Sequence, residues 1–294
     1  TRVFKDEYSY DVKRWEAARD AAKAVMDAKK GDGSNRYQLY NKYEASDFKD
    51  IDGKSDTNNE KVQQRLWRMN FEMEAIMNEW VWFVTRDKDT GWSGDILPPS
   101  QGGHARQRPL QEQVDEYEYI GPDGYGYPIY ADRAKSDGYD DENPYEGIRR
   151  DPRLYRDIRY HGSWYGGQQL NTASGDDAVS GSYLDQASHT GYYLRKFYKD
   201  GWTRGHGGHV INGPGVWRLP AFIYIYCEAV NELSGPNEEI YKLINEVRAR
   251  SFMAPMPPET KTDRKLMNSY IQRERRVEFF YENFRYWTAR LYME

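Results

Sequence analysis

Three tryptophans in glycine-containing segments are the residues of this chain best suited to binding chemistry. They are Trp92, Trp164 with its neighbour Tyr165, and Trp202 with Arg204 two residues further on. Aromatic rings stack on the flat C–H faces of sugars, while nearby planar polar groups bind the hydroxyls. We therefore predict these five as ligand-binding residues. The alternative is that each aromatic side chain fills a small hydrophobic cluster beneath its own loop.

Signals for metal or covalent chemistry are weaker. His206 and His209 bring two imidazoles together, but a zinc site needs three or four ligands, and no cysteine or third histidine lies close in sequence. Cys227 is the only cysteine, and its helical surroundings of Tyr, Ile and Ala indicate a buried structural thiol. We predict no catalytic residue, no metal and no cofactor. A glycosidase pair of carboxylates stays open, because spacing in sequence cannot show its geometry.

Composition excludes two further classes of function. The net charge is −5 and no run of lysine or arginine occurs, which argues against nucleic acid as a partner. No segment approaches the roughly 20 apolar residues that a membrane-spanning helix requires. The 26 Tyr and 9 Trp supply apolar area for a folded core.

The elements that must position these residues are clearest at the carboxyl end. A helix begins at Leu219-Pro220 and stops at Gly235. Asn237 caps a second helix, and Asp263 caps a third. The third is predicted to carry an apolar stripe that reaches Phe284, with the arginine cluster 273–276 mostly off it; the stripe is formed by Leu266, Tyr270, Val277, Phe280, Tyr281 and Phe284.

The rest of the chain is less regular. An alanine-rich helix carrying Trp15 and Ala22 on one face needs a partner helix, which we expect from preceding repeats outside this sequence. Residues 63–85 show a helical stripe that changes into a strand-like Trp80–Val84. From Asp87 to about Trp217 the chain is rich in Gly, Pro, Asp, Asn and Tyr, a composition typical of functional loops on a rigid frame.

Ordered motifs along the chain resemble those of the SusD/RagB family. The resemblance rests on the Leu219–Glu232 segment, on Ile244-Asn-x-Val-Arg-x-Arg250, on Ile271-x2-Glu-Arg-Arg-x-Glu-x3-Glu-x2-Arg-Tyr-Trp287 and on the earlier segments 108–118, 143–155 and 190–196. Asn283 and Thr288 depart from the glycine and aspartate usual there, so the local turn is expected to differ. The motifs cover nearly all 294 residues but only about the latter half of a full-length relative.

The resemblance implies a mainly α, SusD-like fold: a helical scaffold of the TPR type under a long, loop-rich, aromatic-rich region with short strands. Residues 1–50 would end the helical repeats, 51–217 would form the ligand face and 218–294 the carboxy-terminal helical segment, with the N-terminal half absent. It further implies a non-catalytic lipoprotein, anchored at the outer-membrane surface by a lipid missing from this chain, that passes oligosaccharides to a SusC-like TonB-dependent transporter. Alternatives are an oligopeptide ligand, an all-α carbohydrate-active enzyme, or a helical-repeat adaptor that binds only protein.

Overall fold

The computed structural model describes residues 10–40, 78–83, 92–145, 149–165, 168–181, 185–196 and 217–292. Their helices are α1 (Val12–Met26), α2 (Trp92–Ile96), α3 (Gln111–Asp115), α4 (Pro152–Asp157), α5 (Leu219–Ser234), α6 (Glu238–Arg250), α7 (Arg264–Glu278) and α8 (Phe284–Tyr292), with 3-10 turns at Pro99–Gln101 and Pro258–Lys261. Among these ranges, no helix combines the length and the apolar character needed to cross a membrane.

The strands are short and pair as antiparallel two-stranded ribbons. They are β1 (Trp80–Trp82), β2 (Tyr119–Ile120), β3 (Gly126–Tyr127), β4 (Ile158–Arg159), β5 (Trp164–Tyr165), β6 (Gln168–Gln169), β7 (Tyr193–Leu194) and β8 (Trp217–Arg218). The pairs are β1–β8, β2–β3, β4–β7 and β5–β6. The predicted mainly α fold with short strands is confirmed, and β1 confirms the strand predicted after residue 79.

The carboxy-terminal helices begin and end where the caps predict. The Asn237 side chain accepts a hydrogen bond from the Ile240 N–H at 3.0 Å, and Asp263 accepts from the N–H groups of Lys265 and Leu266. Gly235 ends α5 with φ +83°. These side chains satisfy backbone donors that the first turn of a helix leaves without a partner.

Replacing Asn237 by alanine is expected to lower the free energy of unfolding by about 1 kcal/mol, because the Ile240 N–H loses its acceptor. Urea unfolding followed by circular dichroism measures the change. Asn237→Asp is the control, since its carboxylate keeps the acceptor at the positive end of α6. Equal losses in the two variants would contradict the capping role.

The main hydrophobic core lies where α5, α6 and α7 meet α1. Ala22 of α1 is buried against it, together with Cys227, Ile244 and Ile271 from the three carboxy-terminal helices. The partner of α1 is therefore α5 of this chain, and the expectation that the preceding repeats must supply it is wrong. Cys227 is buried as predicted, and burial raises the pKa of its thiol.

The prediction of one long third helix is wrong at its carboxyl end. Helix α7 stops at Glu278, and α8 begins only at Phe284. Between them Tyr281 and Asn283 adopt left-handed backbone conformations, with φ of +64° and +65°. Asparagine tolerates this region better than most residues, so Asn283 can make a turn at which glycine would be the usual choice.

A buried network of ion pairs connects α7 to the loop region. It joins the carboxylates of Glu79, Glu118, Asp151, Glu274, Glu278 and Glu282 to the cations of Arg153, Lys196, Arg218, Arg248 and Arg250. Every side chain in it is at most 7% exposed. Charged side chains are rarely buried unless they are paired, and here each has at least one opposite charge in contact.

Glu278 lies at the centre of the network. It accepts a hydrogen bond from Arg218 at 2.9 Å and another from Arg250, and the Arg153 guanidinium lies 3.5 Å away. Burial by itself would raise the pKa of this carboxyl. The guanidinium groups of Arg250 and Arg218 outweigh burial and hold the pKa of Glu278 well below its ordinary value of 4.5.

Candidate functional site

The ribbon β5–β6 presents the predicted residue Trp164 at the surface. Trp164 pairs with Gln169 across the ribbon, and the pairing continues where the Leu170 N–H donates to the Ser163 carbonyl at 2.9 Å. Directly opposed residues of an antiparallel pair project to the same face. The Trp164 indole, 37% exposed, therefore lies on the same face of the ribbon as the Gln169 side chain.

A cleft of about 260 Å³ lies beside this ribbon, and we call it the hairpin cleft. Most of its lining is polar and planar. The side chains that matter here are Gln101, Arg159, Gln168, Gln169, Asn171 and Asp177. Amide, carboxylate and guanidinium groups supply both hydrogen-bond donors and acceptors at this one place.

Three hydrogen bonds fix the part of the wall that Ser100 and Gln101 form. Asp177 accepts hydrogen bonds from the backbone N–H and the hydroxyl of Ser100, at 2.8 and 2.6 Å. Arg159, which is buried, donates to Gln101 Oε1 at 3.0 Å. The positions of Ser100 and Gln101 are thus set before any ligand arrives.

Arg159 owes its position to the interior of the protein. It ends β4, which pairs with β7 and follows directly after α4. Helix α4 carries Arg153, which is bound to Glu274 of α7 through two hydrogen bonds of 2.9 and 3.0 Å. An element bound to the interior ion pairs therefore holds the buried side of the cleft.

Asn171 shapes the loop that follows the ribbon. Its Oδ1 accepts from the N–H groups of Ala173 and Ser174, both at 3.0 Å, and its amide nitrogen donates to the Ser174 hydroxyl. This local pattern turns the chain without help from a regular element. It brings residues 174–177 to the rim of the hairpin cleft.

Of the five predicted site residues, only Trp164 has a described side chain. Trp92 begins α2 and Tyr165 ends β5, but their side chains are outside what the structure describes. Trp202 and Arg204 lie outside the described residues altogether, as do His206 and His209. Whether these side chains join Trp164 in one site stays a prediction.

Sequence reasoning missed most of the cleft. Gln168, Gln169 and Asn171 follow the Trp164 motif closely, so a run of planar polar residues after a glycine-flanked tryptophan was a usable signal. Arg159 is near in sequence but ends a separate strand, β4, whereas Gln101 is far away and only the folding of the loops brings it in. Within the described ranges no group of three or more His, Cys, Asp or Glu residues could hold a metal ion.

The sequence and the fold of this chain are both similar to those of known proteins. The model of the SusD family matches residues 84–290. A SusD-like carbohydrate binding protein from Bacteroides fragilis has 21% identity and a TM-score of 0.67, with 96% of this chain and 49% of that one covered. A second SusD-like protein from B. fragilis has 20% identity and a TM-score of 0.65, covering 96% and 51%.

A SusD superfamily protein from Bacteroides vulgatus has 13% identity and a TM-score of 0.57, with 96% of this chain and 48% of that one covered. The chain thus spans about half the length of each of these three structures. No curated protein matches its sequence.

Proposed function

The chain belongs to the SusD family, and from that premise we propose that it is a non-catalytic, cell-surface protein that binds oligosaccharides for import. A SusC-like TonB-dependent transporter of the outer membrane would be its partner, and a lipid would anchor it to that membrane. The observation that carries the proposal is the hairpin cleft, which brings amide, carboxylate and guanidinium groups together beside the ribbon that exposes the Trp164 indole.

The chemistry of the cleft suits a sugar. Each hydroxyl of a sugar both donates and accepts hydrogen bonds, and the amides of Gln168 and Gln169 can do the same. The Trp164 ring adds an apolar plane on which the C–H face of a sugar ring can stack. That a SusD-like relative from B. fragilis is a carbohydrate binding protein supports the same ligand class.

An oligopeptide ligand is the alternative within the same family, since backbone amides also pair with glutamine and asparagine side chains. A carbohydrate-active enzyme is a weaker candidate. Asp177, an acid of the cleft, already uses both carboxylate oxygens to hold Ser100, and Asp176 is its immediate neighbour in sequence. A glycosidase needs two acids at least about 5 Å apart on either side of the bond that is cleaved.

Replacing Trp164 by alanine is expected to weaken oligosaccharide binding about tenfold or more, because the ligand loses its stacking surface. Isothermal titration with a panel of oligosaccharides and oligopeptides measures the change and separates the two ligand classes. Trp82→Ala is the matched control, since Trp82 is also exposed on a two-stranded ribbon, but no residue of that ribbon lines the cleft.

Three outcomes would contradict the proposal. Binding that is equally strong in the Trp164→Ala and Trp82→Ala proteins would reject the site. Flat heats for every oligosaccharide would reject the ligand class. Release of shortened oligosaccharides during the titration, lost on replacing one Asp or Glu, would favour the enzyme instead.

A further inference from the structure

A second polar cleft lies between α7 and α8, and none of its lining residues belongs to the hairpin cleft. We call it the α7–α8 cleft. Its volume is also about 260 Å³, small beside the several hundred Å³ of most ligand pockets. One face of each helix lines it, through Ser269, Gln272, Arg273 and Arg276 of α7 and Arg285 and Thr288 of α8.

The three arginines do not make this cleft a site for anions. Arg276 donates to Glu116 at 2.9 Å and to Glu112 at 2.8 Å, and the Arg273 guanidinium lies 3.3 Å from Glu116. Arg285 lies 3.6 Å from Glu112. An acidic ligand would have to displace these glutamates, so the positive charge gives it little advantage.

Two hydroxyls in the cleft can act only as acceptors toward a ligand. The Ser269 hydroxyl donates its hydrogen to the Leu266 carbonyl at 2.7 Å, and the Thr288 hydroxyl donates to the Arg285 carbonyl at 3.2 Å. Their remaining lone pairs need a ligand that brings hydrogens of its own. A sugar hydroxyl meets that need, whereas a carboxylate or a sulfate does not.

An aromatic ring completes the cleft. Tyr130 is 61% exposed, and Arg273 both donates to its hydroxyl and lies over its ring, with 5.4 Å between the guanidinium carbon and the ring centroid. The contact fixes the orientation of the ring. Gln272 adds an amide that can donate and accept.

We propose that the α7–α8 cleft is a second ligand site, which binds one ring of a neutral sugar. Separate groups of the cleft would contact the sugar ring. Ser269 and Thr288 supply acceptors, Gln272 supplies an amide, and Tyr130 supplies an apolar plane. This second site is separate from the oligosaccharide site proposed at the hairpin cleft and shares no lining residue with it.

The test uses the full chain with Trp164→Ala, so that the hairpin cleft contributes little. Saturation-transfer NMR is recorded with methyl α-D-glucoside, methyl β-D-galactoside and methyl α-D-mannoside, and with acetate and glucuronate as the anionic arm. At least one neutral glycoside is expected to bind. Adding Ser269→Ala and Thr288→Val is expected to weaken that binding about tenfold, through loss of two hydrogen bonds.

Thr262→Val is the matched control in the same background. The Thr262 hydroxyl also donates to a carbonyl three residues earlier, at 3.1 Å from Glu259, but it lies outside the cleft. Its replacement is expected to leave binding unchanged. Gln272→Ala gives a second, independent variant in the event that the double variant folds poorly, and it should weaken binding by several fold.

Each possible result decides the matter. Loss of binding in the cleft variants but not in Thr262→Val supports the second site. Equal binding in all of them overturns it, as does tighter binding of acetate or glucuronate than of the glycosides. If Trp164→Ala alone abolishes all glycoside binding, the second site is rejected while the hairpin cleft gains support. If Trp164→Ala binds as the wild type does, and the Ser269, Thr288 and Gln272 variants lose binding, the second site is supported and the hairpin cleft is rejected.

Discussion

Replacing Glu278 by glutamine is expected to lower the free energy of unfolding by about 3–5 kcal/mol. The substitution keeps the shape of the side chain and removes its charge. Arg218 and Arg250 then lose their shared anion while remaining 2% exposed or less. Both keep Glu79 as a partner, but each loses its ion pair with Glu278 in the interior, and breaking a buried ion pair is strongly destabilising.

Urea unfolding at pH 7 measures this loss. Glu246→Gln is the matched control, because Glu246 pairs with Lys242 at 4.0 Å on the surface of α6, with 75% of the lysine side chain exposed. That change is expected to stay within about 0.5 kcal/mol. A loss below about 1 kcal/mol for Glu278→Gln would show that the network does not depend on its central carboxylate.

The pH dependence gives a second measure of the same residue. The pKa of Glu278 is lower in the folded protein than in the unfolded chain, so its ionisation stabilises the fold fully above its ordinary value of 4.5. That contribution is lost as the pH falls toward the folded pKa. The stability gap between the wild type and Glu278→Gln should therefore be full at pH 7 and shrink below about pH 4.

Replacing Gly103 by alanine is expected to cost about 3 kcal/mol through a clash with the backbone. A Cβ atom at this position would lie 1.9 Å from the carbonyl oxygen of Leu97 and 2.3 Å from its carbonyl carbon. Neither atom can move without moving the chain. The Gly103 N–H donates to the Pro98 carbonyl at 3.0 Å, closing the turn that carries Ser100 and Gln101 to the hairpin cleft.

The same variant should also bind oligosaccharide more weakly, because the wall of the cleft shifts with the turn. Thermal unfolding and isothermal titration measure the two effects. Gly31→Ala is the control, since a Cβ there meets no atom within 4 Å and φ is not in the left-handed region. Wild-type stability in Gly103→Ala would mean that the backbone around Leu97 can give way.

The sequence predicted the carboxy-terminal helices well because their signals are local. Asn237 and Asp263 cap helices through side-chain contacts with residues two or three positions away, and Gly235 ends α5 through its own backbone angle. Such features depend on neighbours in sequence. The predicted extension of the third helix to Phe284 failed, because the apolar spacing continues across the turn at Tyr281 and Asn283. The left-handed backbone angles of that turn end the helix.

The buried ion pairs could not be predicted in this way. Helical patterning places charged residues such as Glu274 and Arg275 on the solvent face, yet both are buried. Glu274 pairs with Arg153, and Arg248 of α6 pairs with Glu118, so both partners come from the loop region far away in sequence. Trp164 could be proposed from its glycine-rich setting, whereas the contact of Arg159 with the distant Gln101 could not.

Temperature changes how much the buried ion pairs and the hydrophobic core each contribute to stability. Removing Arg218 and Glu278 from water opposes folding, but ions lose favourable hydration on heating, so that opposition weakens as the solution warms. Burial of Ile244 and its neighbours gains no such advantage. As the temperature rises, the buried ion pairs therefore contribute a larger share of the stability of the fold, and apolar burial a smaller one.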